Sequence, residues 1–313
     1  MELTTPIFFE PLFMERVWGG RRLASFPGKH LPQSSRIGES WEIVDREEAQ
    51  SVVHDGPLRG LTLHELWTDH REEIFGAGLP PSERFPLLCK LLDAQERLSV
   101  QVHPPAPAAA QFGGECKSEM WYVMNALLDS DLYAGLKKGV TLQTFKQALR
   151  DGHVAEQIHE LPVCQGDAVF IPSGRVHAIG AGNLIAEIQQ NSDTTYRVFD
   201  WNRIGFDGRP RDLHIEESLA SINFEDIEPA KIVPNGELLV QCDFFRVEKW
   251  DLTAPRTCAN EGRFAIFTVV EGKIECGQRE FATGSFFLAP PSLATRELKP
   301  ANGAATVLRT MIP

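Results

Sequence analysis

What most constrains this chain is how its apolar residues are grouped. They come in short runs, each closed by glycine, proline, aspartate or asparagine. LLCKLL (87–92), LSVQVH (98–103), MWYVMNALL (120–128), DAVFIP (167–172) and LIAEIQQ (184–190) all have this form. Such runs have the length of strands, and their breakers are turn formers. Many short strands with Gly/Pro punctuation predict a mainly β fold, a sandwich or barrel. With 313 residues the chain has room for two such units or one large one.

Helical periodicity is confined to three places. Residues 62–75 carry Leu63, Leu66 and Trp67 at i, i+3 and i+4, with Thr62 as N-cap. Residues 141–161 begin at a Thr141 cap, and Gly152 breaks or kinks the pattern. The third is 213–222. The segment 221–239 is polar, carries two prolines and reads as a connection, which places a domain boundary near residue 230. That predicts a larger unit over 1–230 and a smaller one over 231–313.

Strand signals resume in FFRVEKWDL, RFAIFTVVEGKIECG and SFFLAPP, and they contain an internal echo. Gly166 and Pro172 bracket five residues in GDAVFIP, and Gly284 and Pro290 bracket five in GSFFLAP. Both read as a turn glycine, a strand, and a proline that ends the pairing. Where the first copy continues to Val176-His177, the second has Leu293-Ala294. The expectation is one barrel with a site followed by a degenerate one.

Charge narrows the function. Lys and Arg number 31 against 43 Asp and Glu, a net of −12 with histidine neutral. A general nucleic-acid binder needs a basic footprint, and an anionic membrane would repel this chain. No stretch reaches 18 apolar residues, and MELTTPIFFEPLFMER lacks a basic n-region and long apolar core. Six scattered cysteines (Cys89, Cys116, Cys164, Cys242, Cys258, Cys276) have neither zinc-finger spacing nor the density of a disulfide framework. A soluble, reduced, cytoplasmic protein is expected, with no nucleic-acid or membrane partner.

The chemistry-bearing residues fall in or beside the strands. In Gln101-Val102-His103 a period of two puts Gln101 and His103 on one face, Val100 and Val102 on the other. Glu119 opens the strand EMWYVM, and His177 follows the GDAVFIPSG turn. Two imidazoles, a carboxylate and an amide oxygen suit Zn²⁺, or Fe²⁺, Co²⁺ or Mn²⁺, and leave positions open for substrate. Each histidine on its own reads rather as one that satisfies a local hydrogen bond, and spacing alone does not establish convergence.

Lys90 interrupts LLCKLL. It is either a cation aimed into the barrel at an anionic ligand or a lysine on the solvent face of an edge strand. Lys117, Arg197 and Arg203 lie near the ligand strands, Arg197 in a polar stretch, QQNSDTTYRVFDWNR, with the character of a cavity-lining loop. Trp18-Gly19-Gly20 reads as a ligand loop or a turn. His153 and His159 read as surface residues of the 141–161 helix. No Walker A loop and no dinucleotide fingerprint occur.

From residue 6 to 222 the chain resembles the type I phosphomannose isomerases in their short bacterial form. The likeness rests on PLFMERVWGG (11–20), IGESWEI (37–43), GLTLHELW (60–67), FPLLCKLLDAQERLSVQVHP (85–104), KSEMWYV (117–123), GDAVFIPSGRVHAIG (166–180) and QQNSDTTYRVFDWNR (189–203). The remainder resembles a second cupin-like barrel. The resemblance implies two cupin (jelly-roll) barrels with inserted helices. It also implies a metal-dependent enzyme that interconverts mannose 6-phosphate and fructose 6-phosphate through an enediol. It places the family's metal, usually zinc and here one per chain, on Gln101, His103, Glu119 and His177. It also places the catalytic arginine on Arg197 and active-site lysines on Lys90 and Lys117, all three contacting a sugar-phosphate substrate. One departure stands out. Longer members carry histidine before the lysine, where this chain has Cys116, so a base at that position does not transfer. A non-catalytic or different-substrate sugar-binding cupin is the alternative reading.

Overall fold

A computed structural model describes residue 3, residues 5–258 and residues 262–313. The first unit contains β1 (Leu12–Gly20), β2 (Ile37–Ile43), β3 (Leu87–Ala94), β4 (Val100–Val102), β5 (Glu119–Ala126) and β6 (Asp131–Leu136). It continues with β7 (Ile158–Pro162), β8 (Ala168–Ile171), β9 (His177–Ile179), β10 (Asn183–Gln190) and β11 (Tyr196–Phe199). Its helices are α1 (Leu63–Asp69), α2 (Arg71–Phe75), α3 (Ala106–Phe112), α4 (Leu142–Asp151) and α5 (Ile215–Ser221). The second unit contains β12 (Leu238–Gln241), β13 (Arg246–Leu252), β14 (Arg256–Thr257), β15 (Ala265–Glu271) and β16 (Lys273–Cys276). It ends with β17 (Arg279–Ala282), β18 (Phe286–Ala289), β19 (Glu297–Pro300) and β20 (Ala305–Met311). Among the described residues no helix is long and apolar enough to cross a membrane.

Each unit is a pair of sheets, a jelly-roll in which the two sheets do not join into one hydrogen-bonded ring. In the first, the orders are β1-β2-β3-β10-β5-β8 and β11-β4-β9-β6-β7; in the second, β12-β13-β20-β15-β18 and β14-β19-β16-β17. Apart from the extra β1 and β11, the second unit repeats the first strand for strand. The echo seen in the sequence is this repeat: β8 and β18 are the equivalent edge strands, preceded by Gly166 and Gly284 at φ 93° and 88°.

Register carries the repeat down to single residues. One row of the first unit runs Trp41, Lys90, Glu187, Trp121, Val169. The matching row of the second runs Leu238, Glu248, Arg309, Phe267, Phe287. The buried ion pair is kept with its charges exchanged. Glu119 stands two residues before Trp121, and the residue two before Phe267 is Ala265, so the second unit lacks that carboxylate.

Two of the helical expectations change. The pattern at 62–75 is split at His70, whose own φ of −125° is not helical. Thr62 caps it as expected, accepting from the Glu65 backbone N–H while the Glu65 carboxylate accepts from Thr62 N–H. The pattern at 141–161 ends at Asp151, because Gly152 is left-handed and caps α4. His159 therefore lies on β7, and only His153, with Glu156 beside it at 3.1 Å, keeps a helical neighbourhood in a 3₁₀ turn.

The two units share a core. Phe75 and Phe85 from the first pack on Phe264 of the second, with ring centroids 5.2 and 5.8 Å away, and Trp67 packs edge-on against Phe75 and Phe85. Gly76 joins Arg263 in a β-bridge at this seam. At its φ of 89° a Cβ would sit 1.9 Å from the Gly262 carbonyl oxygen, so only glycine fits. Ile7 bridges to Leu288 on the outer edge of β18 and covers what would be an open strand.

Candidate active site

The site lies in the first unit, in a cavity of about 460 Å³ between its two sheets. β4 behaves as its alternation predicts. Val100 and Val102 are fully buried with Phe145 and Ile158, while Gln101 turns to the cavity. His103 follows at the end of the strand. Gln101 pairs with His177 of β9, and Glu119 enters from β5 in the facing sheet.

These side chains converge. Gln101 Nε2 is 3.2 Å from His177 Nε2, His103 Nε2 is 3.2 Å from Glu119 Oε2, and His177 Nε2 is 3.6 Å from Glu119 Oε1. Both imidazoles are oriented from behind. His103 Nδ1 lies 2.9 Å from the Thr194 carbonyl oxygen and His177 Nδ1 lies 2.8 Å from that of Arg175. A carbonyl only accepts, so each Nδ1 carries the proton and each Nε2 of the neutral ring offers a lone pair.

The rings are neutral. Burial, reinforced by the Lys117 charge, pushes His103 down to about 3, and burial also lowers His177. Burial alone would raise the Glu119 carboxyl, but the Lys117 ammonium overcomes it and holds it well below the usual range. A carboxylate oxygen and an imidazole lone pair therefore face each other at 3.2 Å with no proton between them. His103 Nε2 and Glu119 Oε2 are buried and make no hydrogen bond. The Lys117 ammonium, 3.1 Å from Glu119 Oε2, balances the carboxylate charge, and a metal ion held between the carboxylate and the imidazole would satisfy both facing lone pairs. Donor atoms that all lie within 4.8 Å of one another are close enough for one ion to reach them together. His103, Glu119 and His177 form a group able to hold a metal ion. A half-turn of the Gln101 amide would present its oxygen.

A chain of alternating charge leads away from this group along one face of the sheet. Lys117 Nζ is 3.1 Å from Glu119 Oε2 and 3.9 Å from Glu187 Oε1; Lys90 Nζ is 3.0 Å from Glu187 Oε1 and 3.7 Å from Glu39 Oε2. Glu39 also accepts from Trp41 Nε1 and Arg16 Nε, at 2.6 and 2.9 Å. Lys90 is thus buried on a central strand facing the cavity. The edge-strand reading fails because β3 lies between β2 and β10. Burial and then the Glu119 charge push the Glu187 carboxyl up to about 7. Glu39 has Lys90 and Arg16 to overcome its burial, and falls to about 2.

Arg197 lies on β11, a strand rather than a loop, opposite Gln101 in register, and its side chain lines the cavity. Arg203 does not line it; it donates to the Arg97 carbonyl and Asp200. Trp18 closes one wall from the end of β1, so Trp18-Gly19-Gly20 is neither a ligand loop nor a turn.

Sequence reasoning did not single out Glu187, Glu39 or Asp193, all of which line the cavity. A signal for Glu187 was present. It interrupts the apolar run LIAEIQQ as Lys90 interrupts LLCKLL, and the two interruptions meet across one ladder.

Residues 7–124 match the family model for the phosphomannose isomerase type I catalytic domain, and 236–293 the mannose-6-phosphate isomerase cupin domain. The chain is 37% identical over 309 residues to mannose-6-phosphate isomerase ManA of Bacillus subtilis, covering 95% of this chain and 96% of that protein. It is 35% identical over 291 residues to the mannose-6-phosphate isomerase of Streptococcus mutans, covering 90% of each. The chain belongs to the type I phosphomannose isomerase family. The crystal structure of mannose 6-phosphate isomerase from Bacillus subtilis matches with a TM-score of 0.86 at 31% identity, over 98% of this chain and 100% of that one. Within the family's catalytic unit, Cys116 faces a different cavity, with Arg46 and Ser192, and does not line the one that holds the ligand group.

Proposed function

We propose that the chain is a metal-dependent aldose–ketose isomerase that interconverts mannose 6-phosphate and fructose 6-phosphate, with catalysis in residues 1–230 and residues 231–313 as a degenerate cupin unit. The observation that carries the reading is the convergence of two facing lone pairs with no proton between them, His103 Nε2 and Glu119 Oε2, beside His177 and Gln101. Gln101, His103, Glu119 and His177 would hold one Zn²⁺ per chain. Bound there, the ion would supply Lewis-acid stabilisation of the negative charge that develops on the substrate.

The isomerisation moves a proton from C2 to C1 through an enediol, so the chain must hold and return a proton. The Lys90–Glu187 pair is suited to this. Its carboxyl lies near 7, its atoms are 3.0 Å apart, and both residues line the cavity. Lys117 bridges this pair to Glu119 and would contact substrate oxygens. Arg197, on the opposite wall, would orient the substrate and balance enediolate charge.

A coupled assay on mannose 6-phosphate, run with metal analysis before and after chelation, tests the reading. Turnover that disappears on chelation and returns with Zn²⁺ is expected. Full turnover by verified metal-free protein would sink the metal mechanism. Bound metal without turnover would favour a sugar-binding role.

A further inference from the structure

The end of β1 that carries Trp18 is not a regular strand. Glu15 and Gly20 are both in register with Ile37 of β2, so residues 16–19 bulge out between them. A bulge re-aims the side chains it carries, and here Arg16 and Trp18 both come to line the cavity. The bulge lies flat on β2 because Gly38 is beneath it. A Cβ on Gly38 would come within 2.6 Å of the Arg16 Cβ and 2.7 Å of the Trp18 ring.

What the bulge delivers is a clamp on Glu39. Arg16 Nε donates to Glu39 Oε1 at 2.9 Å and Nη2 to Oε2 at 3.4 Å, while Trp41 Nε1 donates to Oε2 at 2.6 Å. Lys90 Nζ lies 3.7 Å from the same Oε2 and 3.0 Å from Glu187 Oε1, so it stands between two carboxylates. Both Glu39 oxygens already have donors from the protein. Arg16 is committed as well, its Nη1 donating to the Glu15 carbonyl at 3.3 Å. The pair is therefore built to hold Lys90 rather than to hold a substrate. Nor does the fold itself call for it. The second unit keeps a buried acid–base pair at the Lys90–Glu187 position, yet two residues before Leu238, its counterpart of Trp41, it has Gly236 where the first unit has Glu39.

The chemistry gives this clamp a task. When Glu187 takes up a proton, it stops balancing Lys90. A buried ammonium that loses its counter-charge is driven to give up its own proton. Burial alone would lower the Lys90 pKa, but the Glu187 and then the Glu39 charge raise it. We propose that Arg16 and Glu39 are positioning residues: Glu39, clamped by Arg16 and Trp41, keeps Lys90 an ammonium beside Glu187 throughout the cycle, so that the Glu187 carboxyl alone exchanges the proton. This deepens the isomerase reading and rests on it. Glu187 is faced by Lys90 from β3, by Glu119 and Trp121 from β5, by Lys117 just before β5, and by Glu39 of β2 beyond Lys90; Arg197 of β11 lies across the cavity. Of the charges around Glu187, Glu39 and its partner Arg16 can be changed without touching a metal ligand or the proton-transfer pair.

The test follows the protonated Glu187 carboxyl of the metal-loaded full chain by infrared difference spectroscopy across pH, with Glu187→Gln identifying its band. Removing a nearby negative charge disfavours the protonated form, and removing a positive one favours it. Glu39→Gln should therefore move the midpoint down by about one pH unit, and Arg16→Gln should move it up by about half of one. The matching limb of the pH profile of kcat on mannose 6-phosphate should move the same way, with KM within about threefold of wild type and metal content unchanged. Loosened packing would not reverse its sign between the two variants. Arg16 is partly exposed, so its variant carries the test alone if Glu39→Gln does not fold. Midpoints that stay with the wild type or move in one direction, or a KM raised more than about tenfold at an unmoved midpoint, would overturn the proposal. The infrared midpoint needs no turnover. A wild-type protein that leaves mannose 6-phosphate unconverted, while the two variants part as expected, would refute the isomerase reading and leave the control of Glu187 by Arg16 and Glu39 standing.

Discussion

Lys90 Nζ and Glu187 Oε1 lie 3.0 Å apart across the β3–β10 ladder, in a row where both side chains are at most 6% exposed. Two charges out of water are costly, and a buried pair is far more sensitive to losing one member than to losing both. Lys90→Met should therefore destabilise the protein by about 3–5 kcal/mol in denaturant unfolding, since it removes the ammonium that lies between Glu187 and Glu39. The double variant Lys90→Met/Glu187→Leu should recover more than half of that loss while remaining inactive. A double variant as unstable as the two single changes summed would show that the pair is not coupled.

The same carboxyl sets a pH dependence. Glu187 titrates near 7 in the folded chain and near 4.3 when unfolded. Between those values the unfolded chain gives up its proton first, so the Glu187 contribution is complete below about pH 4 and is lost as pH rises to about 7. The loss is on the order of 3 kcal/mol. Glu187→Gln has no proton to lose and keeps an amide oxygen for Trp121 Nε1, which donates to Glu187 Oε2 at 3.2 Å. Relative to wild type, the variant should gain thermal stability between pH 5 and pH 8. A difference in melting temperature that is constant over that range would contradict the assignment of this carboxyl.

Much of the site was legible in the chain, and the reasons are local. Strand parity separated Gln101 and His103 from Val100 and Val102 because a period of two needs no knowledge of neighbours. The echo around Gly166 and Gly284 survived because a turn glycine and an edge proline are backbone requirements. What stayed hidden depends on pairing between distant strands. Glu187 acquires its meaning only when β10 lies against β3 and β5, and Lys90 is ambiguous until β3 is seen to be central. The break at Gly152 is legible in the sequence and ends α4, but HVAEQIHEL keeps a helical pattern beyond it, and only the pairing of β7 with β6 decides its last residues.

The ligand group predicts a linkage between metal and stability. Binding to the folded state alone stabilises it by about 2.7 kcal/mol at a hundredfold excess over Kd, or several degrees in Tm. Chelation should lower the melting temperature by that amount and abolish turnover. His103→Ala should copurify without the ion, show no response of Tm to chelator, and lose at least about a hundredfold in turnover. A His103→Ala protein that retained one ion per chain would remove His103 from the ligand set.

The second unit makes the complementary case. At the register position of Lys90 and Glu187 it holds Glu248 and Arg309, with Arg309 Nη1 3.0 Å from Glu248 Oε2. Trp250 donates to the same carboxylate oxygen at 3.1 Å, and the Arg256 guanidinium lies 3.5 Å from the centre of its ring. Ala265 stands where the first unit has Glu119, so this cluster lacks the carboxylate of the first unit's ligand group. Arg309→Met should cost about 1–3 kcal/mol, less than the loss at Lys90, because Arg246 at 2.8 Å still pairs with Glu248. Metal content should stay at one ion per chain, and KM for mannose 6-phosphate should not change. A drop in metal occupancy in Arg309→Met would mean that the second unit reaches into the ligand group after all.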